Sequence, residues 1–424
     1  MIVLGMFVIL LLLLVINVPI AVGLAVTTII AMILKNGASF LVDSALIMYS
    51  GAKNFPLIAI PLFILAGAIM NTSGISRRLI AFASALVGFV KGGLSMINIA
   101  TSMFFAEISG SAVADVAALG SILIPAMKKK GYPAAFAAAV TSSSASLAVI
   151  IPPSIPMILY AVMAQTSVVQ LFVAGIVPGI IGGFGMMLVS YIYARRKNFP
   201  IEELFNLANV RRTAKDAALA FVLPVVILGG IFGGFVTATE GAGLAVVAAL
   251  VIGAIYRETS FKQFFEATIE GGSQTAVVML LVAASVLIGE FLTIEQIPQI
   301  VATSITDFTS NKYAILGILN VFLLIIGLFL HSAAAIILVV PIVMPLVIAA
   351  GIDPVHFGII VTLNLAIGQQ TPPVASVLVT ACSVAKADIW EVTKVNVVFI
   401  AVLFTVLMLV TYVPAVPMSL VEYF

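Results

Sequence analysis

Long apolar blocks separated by short charged clusters dominate the chain. No Asp, Glu, Lys or Arg occurs over residues 1–34, 131–194, 217–239, 271–289, 313–352, 354–385 or 395–421. A helix needs about 20 apolar residues to cross the hydrocarbon of a bilayer, so these gaps hold one to three crossings each, roughly ten to twelve together. A transmembrane barrel would alternate polar and apolar positions in strands of about ten residues. The continuous Leu, Ile, Val and Ala runs predict helices instead. The first run is read as a retained helix interrupted near Asn17 and Pro19, because no basic segment precedes it and it outlasts a signal-peptide core.

Composition turns this pattern into a class. Of 424 residues, 63% are hydrophobic and 8% charged, against about 25% charged in soluble domains. So few charges cannot build a water-facing surface, and the expected fold is an all-α polytopic membrane protein. A net charge of +2 offers no nucleic-acid surface, and the single cysteine, Cys382, excludes an intramolecular disulfide or a cysteine metal cluster. The densest basic cluster, Arg195, Arg196, Lys197, Arg211, Arg212 and Lys215, makes 195–216 a cytoplasmic connecting loop by the positive-inside rule. Lys128 to Lys130 with Gly131 form a second turn on that side.

Motifs on either side of this loop recur at an offset of 220 to 222 residues. Lys91 matches Lys312, Asn98 matches Asn320, Ser111 matches Ser332 and Pro125 matches Pro345. Gly131 then matches Gly351, Pro133 matches Pro354, Thr141 matches Thr362, and Pro152-Pro153 matches Pro372-Pro373. The order of prolines, glycines and polar residues defines two halves, 1–194 and 217–424. An odd number of crossings between equivalent elements would invert them, as in many secondary transporters.

Each half has two places where a helix must break. In the first they are Glu107-Ile-Ser-Gly-Ser-Ala112, at the tip of a hairpin near 93–130, and Thr141-Ser-Ser-Ser-Ala-Ser146 followed by Ile151-Pro-Pro-Ser-Ile-Pro156, in a broken helix near 134–166. In the second they are His331-Ser332, in a re-entrant hairpin near 313–349, and Asn364-Leu-Ala-Ile-Gly-Gln-Gln-Thr-Pro-Pro-Val-Ala-Ser376, in a broken helix near 355–384. Proline removes a backbone donor and glycine loosens the helix, so carbonyls lose their helical partners. At membrane depth such groups persist only beside buried protein or a wet cavity. Freed carbonyls with Ser or Thr hydroxyls suit a small hard cation such as sodium, and helix N-termini at the breaks suit an anion.

Ionisable residues within spans are functional candidates. Asp115 follows the first tip and Glu240 opens a helix, where an interfacial cap is the alternative. Glu107 is expected to pair with a lysine and Glu290 to mark a boundary. His331 reads as a neutral hydrogen-bonding residue, and Trp390, Tyr191, Tyr193 and Tyr412 as interfacial belts.

These motifs resemble the large membrane subunit (DctM-like, M subunit) of the tripartite ATP-independent periplasmic (TRAP) transporters. The likeness covers nearly the whole chain. It is carried by Ile60-Pro-Leu-Phe-Ile-Leu-Ala-Gly67, Glu107-Ile-Ser-Gly-Ser-Ala112, Gly131-Tyr-Pro133, Ile151-Pro-Pro-Ser154, Thr237-Ala-Thr-Glu-Gly241 and Gly368-Gln-Gln-Thr-Pro-Pro373.

The resemblance implies an elevator-type fold and sodium-coupled uptake of a small organic acid across the bacterial inner membrane. Sialic acid is preferred over a C4-dicarboxylate. The expected partners are a periplasmic substrate-binding protein and a small four-helix membrane subunit, which this sequence is expected not to contain. Carried over by motif, a first sodium site falls on Ser109, Ser111, Ala148, Ile151 and Pro153, and a second on Leu330, Ser332, Gly368, Thr371 and Val374. The repeat adds support, since 148 and 151 plus 220 give 368 and 371. Substrate contacts are expected at Thr141, Ser142, Ser143, Ser144, Asn364, Gln369 and Gln370, between the two sites. The sequence departs from the family pattern at Ala148, where glycine is common, and at His331, where an acidic neighbour is common. The rival readings are a binding-protein-independent dicarboxylate or citrate symporter, a channel, and an intramembrane enzyme, although the chain carries no HExxH or GxSxG motif.

Overall fold

A computed structural model of the chain describes residues 2–16, 18–37, 40–109, 111–257 and 260–424, without the side chains of Leu11, Leu14, Val15, Asn36, Glu107, Ile108 and Ser109. The first half contains α1 (Ile2–Val15), α2 (Ile20–Asn36), α3 (Phe40–Ala52), α4 (Ala59–Thr72), α5 (Ile75–Val87), α6 (Gly93–Ser109), α7 (Ala112–Asp115), α8 (Ser121–Lys129), α9 (Ala134–Ala145), α10 (Ile155–Ala164) and α11 (Val168–Lys197). The second contains α12 (Leu207–Phe232), α13 (Ala238–Tyr256), α14 (Phe261–Ile294), α15 (Ile297–Phe308), α16 (Lys312–Phe329), α17 (Ser332–Ala349), α18 (Pro354–Gly368), α19 (Ser376–Ala385) and α20 (Ile389–Tyr412).

Among the described residues, eight helices are long and apolar enough to cross a membrane alone. That is fewer than the ten to twelve crossings counted from the sequence. The prolines divide α9 from α10 and α18 from α19, and α1 to α3 each fall short of 18 residues. The basic segment 195–216 is also not wholly a loop. Helix α11 runs through Lys197 and α12 starts at Leu207, capped by the Asn206 side chain, which accepts from the amides of Ala208 and Asn209. Long basic side chains at helix ends reach solvent without unwinding the backbone.

The repeat is visible in the turns and in the packing. After α8 and after α17 a glycine adopts a left-handed conformation, Gly131 at φ +86° and Gly351 at φ +64°. The next amides, Tyr132 N and Ile352 N, donate back to Met127 O and Val347 O. This is the same helix stop, built twice. Between helices, Ser144 Oγ donates to Asn98 Oδ1 at 3.2 Å, and 220 to 222 residues later Asn364 Nδ2 donates to Asn320 Oδ1 at 2.7 Å. Helix α6 thus meets α9 as α16 meets α18.

The two hairpins open to opposite ends. At the base of the first, α6 to α8, Lys128 Nζ donates to Ala385 O at 2.7 Å, just before α20 begins. Twenty-four residues on, or about 36 Å of helix, α20 ends with Tyr412 against Tyr313 at the base of the second hairpin, α16 and α17. The first base also meets the basic end of α11. Lys91 Nζ donates to Asn198 Oδ1 at 3.0 Å, and Lys130 pairs with Glu202 at 3.2 Å. Beside this pair, burial and the negative charge of Glu202 push the Tyr132 hydroxyl up to about 12, so it stays neutral. The basic end marks the cytoplasmic face.

Helices α9 and α18 form the buried centre, with α10, α17, α19 and α20 packed around them. Helices α2, α3 and α4 pack on α14, and α4 also on α13, to form a second body.

Candidate functional site

Both proline pairs interrupt their helices, and both Pro-Pro bonds are cis. After α9 the chain tightens into a 3-10 turn over Ser146–Val149 and stays non-helical until α10. Ser154 Oγ replaces a lost donor by bonding Val149 O at 2.8 Å. Glycines of α11 let this irregular backbone lie close. A Cβ on Gly175 would sit 2.3 Å from Ile150 O. In the second break, Val374 N donates across to Leu328 O of α16 at 3.3 Å, and Ala375 is held at φ +43°. Here too the approach is backbone to backbone, because a Cβ on Gly368 would lie 2.5 Å from Gly327 Cα.

These breaks leave oxygens available. Among the described residues nothing donates a hydrogen bond to the carbonyls of Ala148, Ile151 or Pro153, nor to those of Leu330, Thr371 or Val374. The Gly368 carbonyl accepts one bond, from Thr371 N at 3.0 Å. A buried carbonyl without a partner is uncommon, so the first set, whose residues Ala148, Ile151 and Pro153 are buried, fits a cation that takes neutral oxygen ligands; in the second set Leu330 and Thr371 are half-buried and Val374 is exposed.

The hairpin tips meet at one cavity of about 910 Å³. Ser111 lines it from the first tip, at the N-terminus of the short α7, which runs into a π-helical turn over Val116–Gly120. Such turns are frequent at functional sites. His331 and Ser332 line it from the second tip, and Gln369 from the second break. Of the predicted sodium-site residues it therefore receives Ser111 and Ser332. The Ser109 side chain lies outside the described residues.

Among the predicted substrate contacts only Gln369 reaches this cavity. The others are buried, and all but the Ser142 hydroxyl are held by protein. Asn98 Nδ2 donates to Thr141 Oγ1 at 2.6 Å, and Asn98 also binds Ser144. Ser143 Oγ lies 2.8 Å from Gln370 Oε1 and 2.6 Å from Asn396 Oδ1, while Asn396 Nδ2 donates to Gln370 Oε1 at 3.2 Å. Asn364 is bound to Asn320. Ser142 Oγ is buried without a partner among the described residues. Asp115 is fully buried behind the first tip, and Glu240 is elsewhere, closing a capping box at the N-terminus of α13 with Thr237 N 2.8 Å from its carboxylate.

The sequence reading missed the opposite wall. Asn71 and Ser76, flanking the α4–α5 turn, and a stripe on α14, Gln263, Glu266, Glu270 and Gln274, line the same cavity. Their spacing of three or four residues within an apolar span was the available signal. It also missed Asn396, which ties the first break to the second.

Paired hairpins and paired broken helices around one cavity define a polytopic helical transporter. Two solved structures share the overall fold: the YdaH transporter of Alcanivorax borkumensis (TM-score 0.61, 14% identity, 89% of each chain) and MtrF of Neisseria gonorrhoeae (TM-score 0.60, 13% identity, 90% of this chain and 86% of that one).

Residues 7–416 match the family model for the tripartite ATP-independent periplasmic transporter, DctM component, and the chain belongs to that family. Among its relatives, the isethionate TRAP transporter permease protein DctMQ of Oleidesulfovibrio alaskensis is 42% identical, over 96% of this chain and 64% of its own length. The chain thus spans less than two thirds of that permease. The C4-dicarboxylate TRAP transporter large permease protein DctM of Pseudomonas aeruginosa is 39% identical, over 89% of this chain and 88% of that one. The sialic acid TRAP transporter large permease protein SiaM of Vibrio cholerae is 36% identical, over the same shares. These relatives are permeases, and the chain is an inner-membrane transporter component, not an enzyme.

Proposed function

We propose that this chain is the translocating subunit of a sodium-coupled importer for a small organic anion, delivered by a periplasmic substrate-binding protein and assisted by a small four-helix membrane subunit. The observation that carries this is the convergence of two hairpin tips on one cavity beside two helix breaks, where among the described residues the carbonyls of Ala148, Ile151, Pro153, Thr371 and Val374 accept no hydrogen bond. Ala148, Ile151 and Pro153 with Ser111 would hold one sodium ion. Leu330, Gly368, Thr371 and Val374 with Ser332 would hold the other. Sodium supplies positive charge there, and the chain's own part is to position neutral oxygens and keep the anion between the tips.

Relatives named for isethionate, C4-dicarboxylates and sialic acid share a carboxylate or sulfonate group, and that class is the substrate proposed here. The buried centre, α9 and α18 with both hairpins, would move as a unit against the α1–α4 and α12–α14 body in an elevator-like step. The repeat halves 1–194 and 217–424, joined through 195–216, supply its two inverted parts.

The test is reconstitution of the chain with its small subunit and candidate binding proteins in liposomes, screening carboxylates and sulfonates. Uptake should require both an inward sodium gradient and a binding protein. Uptake by the chain alone would favour the self-sufficient symporter, and non-saturating, sodium-independent flux would favour a channel.

A further inference from the structure

The two hairpin tips that face the main cavity are not chemically equivalent. At the first, Ser111 caps α7, its Oγ accepting from Ala114 N at 3.5 Å, and Asp115 adds a carboxyl group within the first turn. At the second, α17 begins with neither device. The His331 side chain makes no cap, and the first turn holds no acidic residue. Ala335 N donates to His331 O at 3.0 Å, but among the described residues the amides of Ser332, Ala333 and Ala334 before it have no acceptor. An 18-residue helix thus turns open amides and the positive end of its dipole toward its own tip.

Three side chains gather at this helix start. Ser332 is 2% exposed and lines the cavity, and among the described residues its hydroxyl has no hydrogen-bond partner. Gln369, also 2% exposed and lining the cavity, directs one of its two amide hydrogens to Leu365 O at 3.2 Å and leaves the other over. His331 is exposed on the cavity wall, and its ring has no partner among the described residues. Buried polar groups are rarely left unpaired, so unused hydrogens on two buried side chains beside an uncapped helix start mark a place for a ligand rich in acceptors. An anionic oxygen group is such a ligand. The facing wall agrees, because the carboxylates of Glu266 and Glu270 line the same cavity and repel an anion toward the tip. A hydroxyl can accept a cation on a lone pair and donate its hydrogen to an anion, so Ser332 can serve both the sodium ion proposed at this tip and the anion beside it.

We infer that the second tip, and not the first, holds the charged end of the transported anion, and that His331 is a specificity-determining residue that donates an imidazole N–H to one of its oxygens. The inference rests on the reading of the cargo as an organic anion, but not on sodium coupling or on delivery by a binding protein.

The test uses the purified full-length chain in neutral detergent. It contains two histidines, and His356 is buried with Nε2 2.8 Å from Val410 O. Isotopic labelling of the histidine ring nitrogens therefore reports on one engaged ring and one open ring by nuclear magnetic resonance. Isethionate, succinate and N-acetylneuraminate are titrated as sodium salts, with sodium chloride as the control. At least one of the three should shift the His331 ring signals saturably and leave those of His356 in place, and chloride should do neither. His331→Leu should bind that anion about ten- to a hundredfold more weakly, the loss expected of a hydrogen bond to a charged group, with an unchanged melting temperature because the ring holds no protein group. His331→Gln, which keeps an N–H donor, should recover most of the affinity. Unmoved His331 signals with all three anions, an equal shift with chloride, or full affinity in His331→Leu would overturn the inference. Anion binding at His331 without sodium-driven uptake would overturn the importer reading and support the inference, whereas sodium-driven uptake with His331 unmoved would do the reverse.

Discussion

Substituting Gly368 by alanine isolates the contact on which the second break depends. The added methyl would lie 2.5 Å from both Cα and C of Gly327 and 2.7 Å from its carbonyl oxygen. Carbon atoms pack best at about 3.5–4.0 Å, so the overlap is about 1 Å or more. Overpacking typically costs ~1–3 kcal/mol when side chains can adjust. Here the obstacle is backbone, and we take the upper value, ~3 kcal/mol, equivalent to ~150-fold in an equilibrium constant. Relief requires α16 and α18 to separate, which stretches the Val374 N to Leu328 O bond and displaces the Gly368 carbonyl from the second hairpin. The assay is thermal unfolding in detergent with and without sodium, alongside the sodium dependence of uptake in liposomes. A lower melting temperature, a smaller stabilisation by sodium and a rightward shift in sodium activation are expected. Gly272→Ala on α14 is the control, since nothing lies within 4 Å of its added methyl. It should be neutral or slightly stabilising, because alanine is the better helix former. A Gly368→Ala protein with unchanged melting temperature and sodium midpoint would refute the reasoning.

Ser111→Ala and Thr371→Ala should each weaken sodium activation of uptake while leaving a folded protein, and unchanged activation in both would remove the site assignment. Asn396→Leu should lower stability by about 1–3 kcal/mol, the cost of stranding buried polar partners, because it strips the Ser143–Gln370 pair of its shared amide. A melting temperature equal to that of the unaltered chain would show that this network does not hold the breaks together. Glu240→Gln should leave uptake intact, since glutamine completes a capping box as glutamate does. Lost uptake in a normally folded Glu240→Gln protein would return the carboxylate to a transport role.

The helical class and the sites of interruption were legible because they depend on composition and on Pro and Gly, whose backbone effects are local. Gly131 and Gly351 announced the same stop in each half, and Pro152-Pro153 and Pro372-Pro373 announced both breaks. Which side of a broken helix faces a cavity was not legible. Thr141, Ser143, Ser144, Asn364 and Gln370 are as polar as any ligand-binding group, but their hydrogen bonds go to Asn98, Asn320 and Asn396, which are distant in sequence. Burying hydroxyls and amides demands such partners, so a polar motif in an apolar span marks either a site or its scaffold. The α14 stripe was hidden by the reverse problem. Glu266 and Glu270 look like ordinary interfacial charges, with Lys262 3.8 Å from Glu266 and Gln274 donating to Glu270 at 3.3 Å. Only packing shows that they face the hairpin tips.

The charges around the main cavity bear on why transport of an anion would be coupled at all. No Lys or Arg is among the described residues lining it, and the carboxylates among them are the two of α14. An organic anion entering this space alone would lose hydration without gaining a countercharge, which is costly. Carbonyls cannot supply that countercharge, but they can hold cations that do. Filling both breaks with sodium would place positive charge on either side of the tips, through ligands that add no charge of their own. The anion's affinity would then depend on sodium occupancy, and by linkage the sodium affinity would depend equally on the anion. A cavity lined by a fixed arginine could bind its anion without ions and would lose that obligation. On the proposed reading, the neutrality of the paired breaks is what makes the coupling strict, and the carboxylates of Glu266 and Glu270 on the facing wall strengthen it by disfavouring an anion that arrives without its cations.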